Sequence, residues 1–127
     1  MLVQSTKQRG KPVYLDLTYL QQISEGDTVF ECEILTIYLK ETPRLAQNIQ
    51  KALKARKYII AANLVHELKS KIRIIGLKQA WGLADLIEMS LRKKVNLPQL
   101  PNNLNVFFKV IHKSISLTNK ELLKRIK

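Results

Sequence analysis

Cysteine occurs once, glycine and proline four times each, and aromatic residues make up only 6% of the 127-residue chain. The single Cys32 has no partner for an internal disulfide and no companions for a thiolate metal cluster, which excludes a disulfide-stapled secreted fold and a zinc site. It is expected to be a small core residue. So few turn-forming residues, with Leu, Ile, Lys and Gln recurring throughout, argue against a sheet with many turns and for long helices. Also missing is any run of the ~18 consecutive apolar residues that a membrane-spanning helix needs. The opening MLVQSTKQRGK has no apolar signal-like stretch. The expectation is a cytoplasmic protein with no membrane association.

Acidic residues are scarce as well: 10 Asp and Glu stand against 22 Lys and Arg, a net charge of +12. Such an excess favours anionic partners, whether nucleic acid, anionic lipid or an acidic protein face. The charge is uneven. From Leu91 onward nine basic residues face the single acid Glu121, whereas from Asp16 to Glu41 six acids face Lys40. What the chain does have is 46% hydrophobic residues, enough for one continuous core in one domain of this length.

Residues 1–13 show no apolar period and contain Lys7, Arg9, Gly10, Lys11 and Pro12, so they read as a flexible basic arm ahead of a domain over 14–127. Asp16 can cap a short helix carrying Leu17, Leu20 and Ile23, which Gly26 ends; Asp27 can cap the next. That second helix places Val29, Cys32, Leu35, Leu39, Leu45, Ile49 and Leu53 on one stripe, with Pro43 predicting a kink or break near Thr42 and a stop around 54–57. A third helix steps through Tyr58, Ala61, Val65, Leu68, Ile72 and Ile75 to Gly76, a structural glycine where a left-handed stop falls. A fourth carries Leu77, Ala80, Ala84, Ile87 and Leu91, with Trp81 expected to fill the core. After Pro98 and Pro101 a fifth helix runs from about Asn102 through Leu104, Phe108, Ile111 and Ile115 towards Leu122. Short connections favour antiparallel neighbours. The fold class predicted is all-α, an up-and-down antiparallel four-helix bundle with a short N-terminal capping helix.

At 100° per residue, the buried stripe of the third helix centres between Val65 and Leu68, and His66 points about 130° away from it. Asn63 and Ser70 lie further round; Ala62 and Lys69 flank them; Ile59 and Arg73 stand seven residues to either side. An exposed helix histidine is ordinarily a solvated side chain. Here, however, an imidazole able to carry a phosphoryl group on nitrogen has Lys69 one turn away, within reach of the anion that would form.

The segment Val65-His66-Glu67-Leu68-Lys69-Ser70, followed by Gly76, resembles the histidine-containing phosphotransfer (HPt) family pattern of His-x-apolar-Lys-small with a glycine ten residues after the histidine. The family typically opens with a segment like Leu15-Asp16-Leu17-Thr18-Tyr19-Leu20 and a pair like Gly26-Asp27, and a proline in the second helix, where Pro43 stands, is also familiar. The similarity spans roughly residues 14–88. Two departures stand out: Ser70 replaces the glycine usual after the motif lysine, and Lys71 and Ile72 replace small residues.

The resemblance implies a phosphoryl carrier without ATP-dependent kinase activity of its own. His66 would accept a phosphoryl group from a receiver-domain aspartate and pass it to another receiver, with Lys69 stabilising the phosphoryl oxygens. Ile59, Ala62, Asn63, Ser70 and Arg73 would form the docking face, rimmed by the second helix, and the cations Lys69 and Arg73 should help keep the imidazole neutral. No cofactor of its own is implied, Mg²⁺ being expected on the partner. The partners expected are response-regulator receiver domains and a hybrid sensor kinase, with the protein itself a monomer.

Two other readings compete. His66-Glu67-Leu68-Lys69-Ser70 also resembles the phosphoacceptor helix of sensor histidine kinases, but that box normally continues into Pro, and Lys71 follows here without any Gly-rich ATP-binding region. The C-terminal lysines and basic arm also fit a helical nucleic-acid-binding protein, although no aromatic residues interleave them for base stacking. His112 is expected on the surface, and Asp85 and Glu88 read as ordinary helix acids.

Overall fold

A computed structural model describes residues 13–126; the basic arm predicted over 1–13 therefore lies, apart from Val13, outside the described residues. The chain forms α1 (Thr18–Ser24), α2 (Thr28–Lys54), α3 (Tyr58–Ile74), α4 (Lys78–Lys93) and α5 (Leu100–Arg125), with a 3₁₀ turn over Leu97–Gln99 leading into α5. No strand occurs among the described residues, and none of these helices is long and apolar enough to cross a membrane.

The predicted punctuation operates at the start. Asp16 Oδ1 accepts from the Thr18 amide at 3.1 Å, and Asp27 Oδ1 caps α2 by accepting from the Phe30 amide at 3.0 Å. Between them Glu25 and Gly26 take the left-handed conformation that reverses the chain. Pro43 does not break α2, which runs through it. The residues on both sides, Leu35, Tyr38, Thr42, Leu45 and Ile49, share one buried stripe, so packing holds the two halves together despite the missing amide donor. Pro101 likewise sits inside the first turn of α5, where a missing amide leaves no helical bond unmade, and the helix starts two residues earlier than predicted.

Each long helix packs against two neighbours: α2 and α4 both contact α3 and α5. Side-chain pairs fix the directions. Moving up α3 from His66 to Lys69 moves down α4 from Glu88 to Asp85; Tyr38 and Glu31 of α2 meet Ser114 and Arg125 of α5 in the same opposed sense. The result is the expected antiparallel four-helix bundle, around fully buried Leu35, Leu45, Ile49, Val65, Leu68, Ile87 and Phe107. Each such side chain contributes about 1.5–3 kcal/mol of hydrophobic stabilisation.

Helix α1 closes one end through buried Leu20 and through a corner that only glycine permits. Gly76 has φ +72°, and a Cβ there would lie 2.0 Å from the carbonyl oxygen of Asp16. The Asp16 amide in turn donates to the Ile75 carbonyl at 3.2 Å, so the segment before α1 is docked against the α3–α4 turn. Three stripe assignments need correction. Val29 is 71% exposed and Tyr58 43%, because both lie in the first turn of a helix beyond its neighbours' reach, and Cys32 is half-buried at the core's edge.

Candidate functional site

Helix α3 buries Ala61, Val65, Leu68 and Ile72 and turns His66 outward, its side chain 67% exposed. Ile59, Asn63, Ser70 and Arg73 are exposed on the same helix, and Ser70 Oγ donates back to the Glu67 carbonyl at 2.8 Å, which folds its hydroxyl onto its own helix. Ala62 is the exception. It is fully buried in the core and cannot be a docking contact, because α3 is covered from two sides, by α2 and by α4, and its buried arc is wider than one stripe.

The groups that meet His66 come from α4. Trp81, Asp85, Glu88 and Arg92 follow one another at helical spacing along the flank of α4 that faces α3. His66 Nδ1 lies 3.1 and 3.2 Å from the two carboxylate oxygens of Glu88. Arg92 Nε donates to Glu88 Oε2 at 2.8 Å, and Lys69 Nζ donates to Glu88 Oε1 at 3.2 Å and to Asp85 Oδ1 at 2.9 Å. The same ammonium stands 4.9 Å from the centroid of Trp81, which is 37% exposed and so acts as a platform beneath a cation rather than as core filling. Asp85 and Glu88, read from the sequence as ordinary helix acids, are thus bonded to Lys69 and, for Glu88, to His66. The second helix contributes Glu41, which pairs with Lys71 at 2.9 Å.

The electrostatics follow from these contacts. Burial pushes the Glu88 carboxyl up, but hydrogen bonds from Arg92, His66 and Lys69 outweigh it and hold the group below the ordinary glutamate value, so it stays ionised. Burial likewise pulls the Lys69 ammonium down, and its bonds to Asp85 and Glu88 outweigh that and hold it above the usual lysine value. An ionised carboxylate can only accept hydrogen bonds, so its contact with His66 requires the proton on Nδ1. In the neutral ring Nε2 then keeps its lone pair, on the side away from Glu88. The ring's direct partner is the Glu88 carboxylate, which Lys69 and Arg92 share. A groove of about 560 Å³ adjoins the site, with Tyr19, Arg73, Leu77 and Trp81 among its walls.

The chain belongs to the Hpt domain family, whose pattern it matches over residues 33–124. The match runs past residue 88, where the readable motifs end, and reaches all four helices of the bundle, while the opening segment and the Gly26-Asp27 pair lie before it. No curated protein and no solved structure gives a match. The family's general role is histidine phosphotransfer in phosphorelays, and Hpt domains generally interact with the receiver domains of response regulators.

Proposed function

We propose that this protein is a monomeric cytoplasmic phosphorelay carrier: His66 takes a phosphoryl group from a receiver-domain aspartate and delivers it to the aspartate of a second receiver. The observation that carries the reading is the outward imidazole held through Nδ1 by Glu88, which leaves Nε2 as the nucleophile. In the accepting step Nε2 attacks phosphorus, the N–P bond forms as the P–O bond to the aspartate breaks, and the aspartate leaves as a carboxylate. The Nδ1 proton stays in place, and the positive charge that develops on the ring is balanced by Glu88, the role a buried carboxylate has beside other nucleophile-activating imidazoles. Delivery is the reverse. Glu88 is a positioning residue; Lys69, one turn away, is the cation that can offset charge on the phosphoryl oxygens once it loosens its bond to Asp85.

The partner would cover exposed Ile59, Asn63, Ser70 and Arg73 and the adjoining groove. Both site carboxylates are already engaged by Lys69, His66 and Arg92, an arrangement that does not fit a divalent cation, so Mg²⁺ is assigned to the receiver. One receiver would belong to a response regulator and the other to a hybrid sensor kinase. The test is incubation with a receiver carrying labelled aspartyl phosphate. Acid-labile label is expected on the wild type and none on His66→Gln, while Lys69→Ala slows acceptance of the label with helical content unchanged. Equal labelling of the His66 variant would overturn the proposal.

A further inference from the structure

Lys69 is committed before any phosphoryl group arrives. Its side chain is only 13% exposed, lies over Trp81, and has two carboxylate partners, of which Asp85 is the closer and is itself 47% exposed. His66 Nε2 points to the opposite side of its ring from Glu88, so a phosphoryl group bonded there forms away from the place where the ammonium is held. To touch that group the lysine must loosen its bond to Asp85, since Glu88 is already shared with His66 and Arg92. A phosphoryl group carries close to two negative charges against one on the aspartate, and both compete for the same ammonium. The contest is set by charge, distance and solvent exposure at Asp85.

We infer that Asp85 is a positioning residue that limits how firmly this protein holds its phosphoryl group, by competing with phosphohistidine for Lys69. The inference rests on His66 being the acceptor and adds to it a reason why the carrier releases what it takes. With Lys69 drawn to Asp85, the phosphoryl oxygens are left under-neutralised, and the N–P bond is more easily broken by an incoming oxygen. That oxygen bonds to phosphorus as Nε2 leaves with the Nδ1 proton still in place; an aspartate carboxylate supplies it in transfer, and water, losing one proton to solvent, supplies it in hydrolysis. Loosening of the phosphoryl group is the direction a carrier needs, since a tightly neutralised phosphohistidine would be a sink.

The measurement is the half-life of phosphohistidine after labelling with phosphoramidate, followed by ³¹P NMR, in the wild type, Asp85→Asn, Lys69→Met and the double variant, with His66→Gln as the blank. Asp85→Asn is expected to lengthen the half-life about threefold to fivefold, the scale of a half-exposed charge pair. In the Lys69→Met background the same change should have no effect, because the residue acts through the lysine. Equal lengthening in both backgrounds would mean simple charge repulsion and would overturn the inference, as would no lengthening in either. Absence of label on the wild type would instead overturn the assignment of His66 beneath it, so the two failures are told apart.

Discussion

The bundle holds two networks built on the same plan, each a glutamate bonded to a cation from another helix, and they end differently. At one end Glu31 of α2 accepts from Ser24 of α1 at 2.6 Å and from Arg125 of α5 at 3.0 Å, and Arg125 also reaches Glu121. Its side chain and that of Arg125 are 11% and 14% exposed, so the network is closed to visitors and serves to join three helices. On the α3–α4 face Glu88 is just as enclosed at 13%, yet the chain of bonds it anchors ends on His66, of which two thirds is open. A closed network can only stabilise. One with an exposed imidazole at its end can hold that ring in a chosen tautomer and still present it to another molecule.

The larger loss of stability is expected at the closed network. Glu31→Ala removes the acceptor that Ser24 Oγ and Arg125 Nε share in a nearly enclosed place, leaving them only Gln21 and Glu121, and should cost about 2 kcal/mol in chemical denaturation, while phosphoryl acceptance is unchanged. Glu88→Ala should act mainly on activity: about tenfold slower acceptance in stopped-flow labelling, with a smaller loss of stability than Glu31→Ala, since Lys69 keeps Asp85 and the His66 ring is open to solvent. A parallel loss of activity and stability in both variants would erase the distinction.

Acid offers a milder probe. The Ser24 hydrogen bond first, then Arg125, hold the Glu31 carboxyl below its ordinary 4.5, so it is ionised more readily folded than unfolded. Its contribution is therefore complete above about pH 4.5 and is lost as pH falls through the lowered folded value. Melting temperature should drop on acidification below that point, and the drop should be shallower in Glu31→Gln. The smallest effect concerns a buried polar group outside both networks: Thr118 Oγ1 is enclosed without a hydrogen-bond partner among the described residues. Thr118→Val should leave stability unchanged or raise it by about 0.5 kcal/mol, as read from the urea midpoint.

Most of the fold could be read from residue spacing, because a helix that buries one side must repeat every three to four residues, and Ala61, Val65, Leu68 and Ile72 do so. The outward direction of His66 followed from the same count. Its partners did not. The spacing fixes angles around one helix but not the register of one helix against the next, and Glu88 stands 22 residues from His66 along the chain. A signal was present: Trp81, Asp85, Glu88 and Arg92 form a second polar and aromatic stripe on α4 that the core had no use for. Ala62 was misplaced for the opposite reason, since a helix in contact with two neighbours buries more than the arc its strongest apolar residues mark. Val29 and Tyr58 show that first-turn residues obey the period of a helix without sharing its burial.

The central claim is that Glu88 pins one ring nitrogen so that the other does the chemistry. Heteronuclear NMR of ¹⁵N-histidine-labelled protein after phosphoryl loading reads this directly, through the phosphorus–nitrogen coupling. One phosphorylated imidazole is expected, that of His66, bonded through Nε2 with the proton on Nδ1. Coupling to Nδ1 of His66, or a signal from His112, would contradict it.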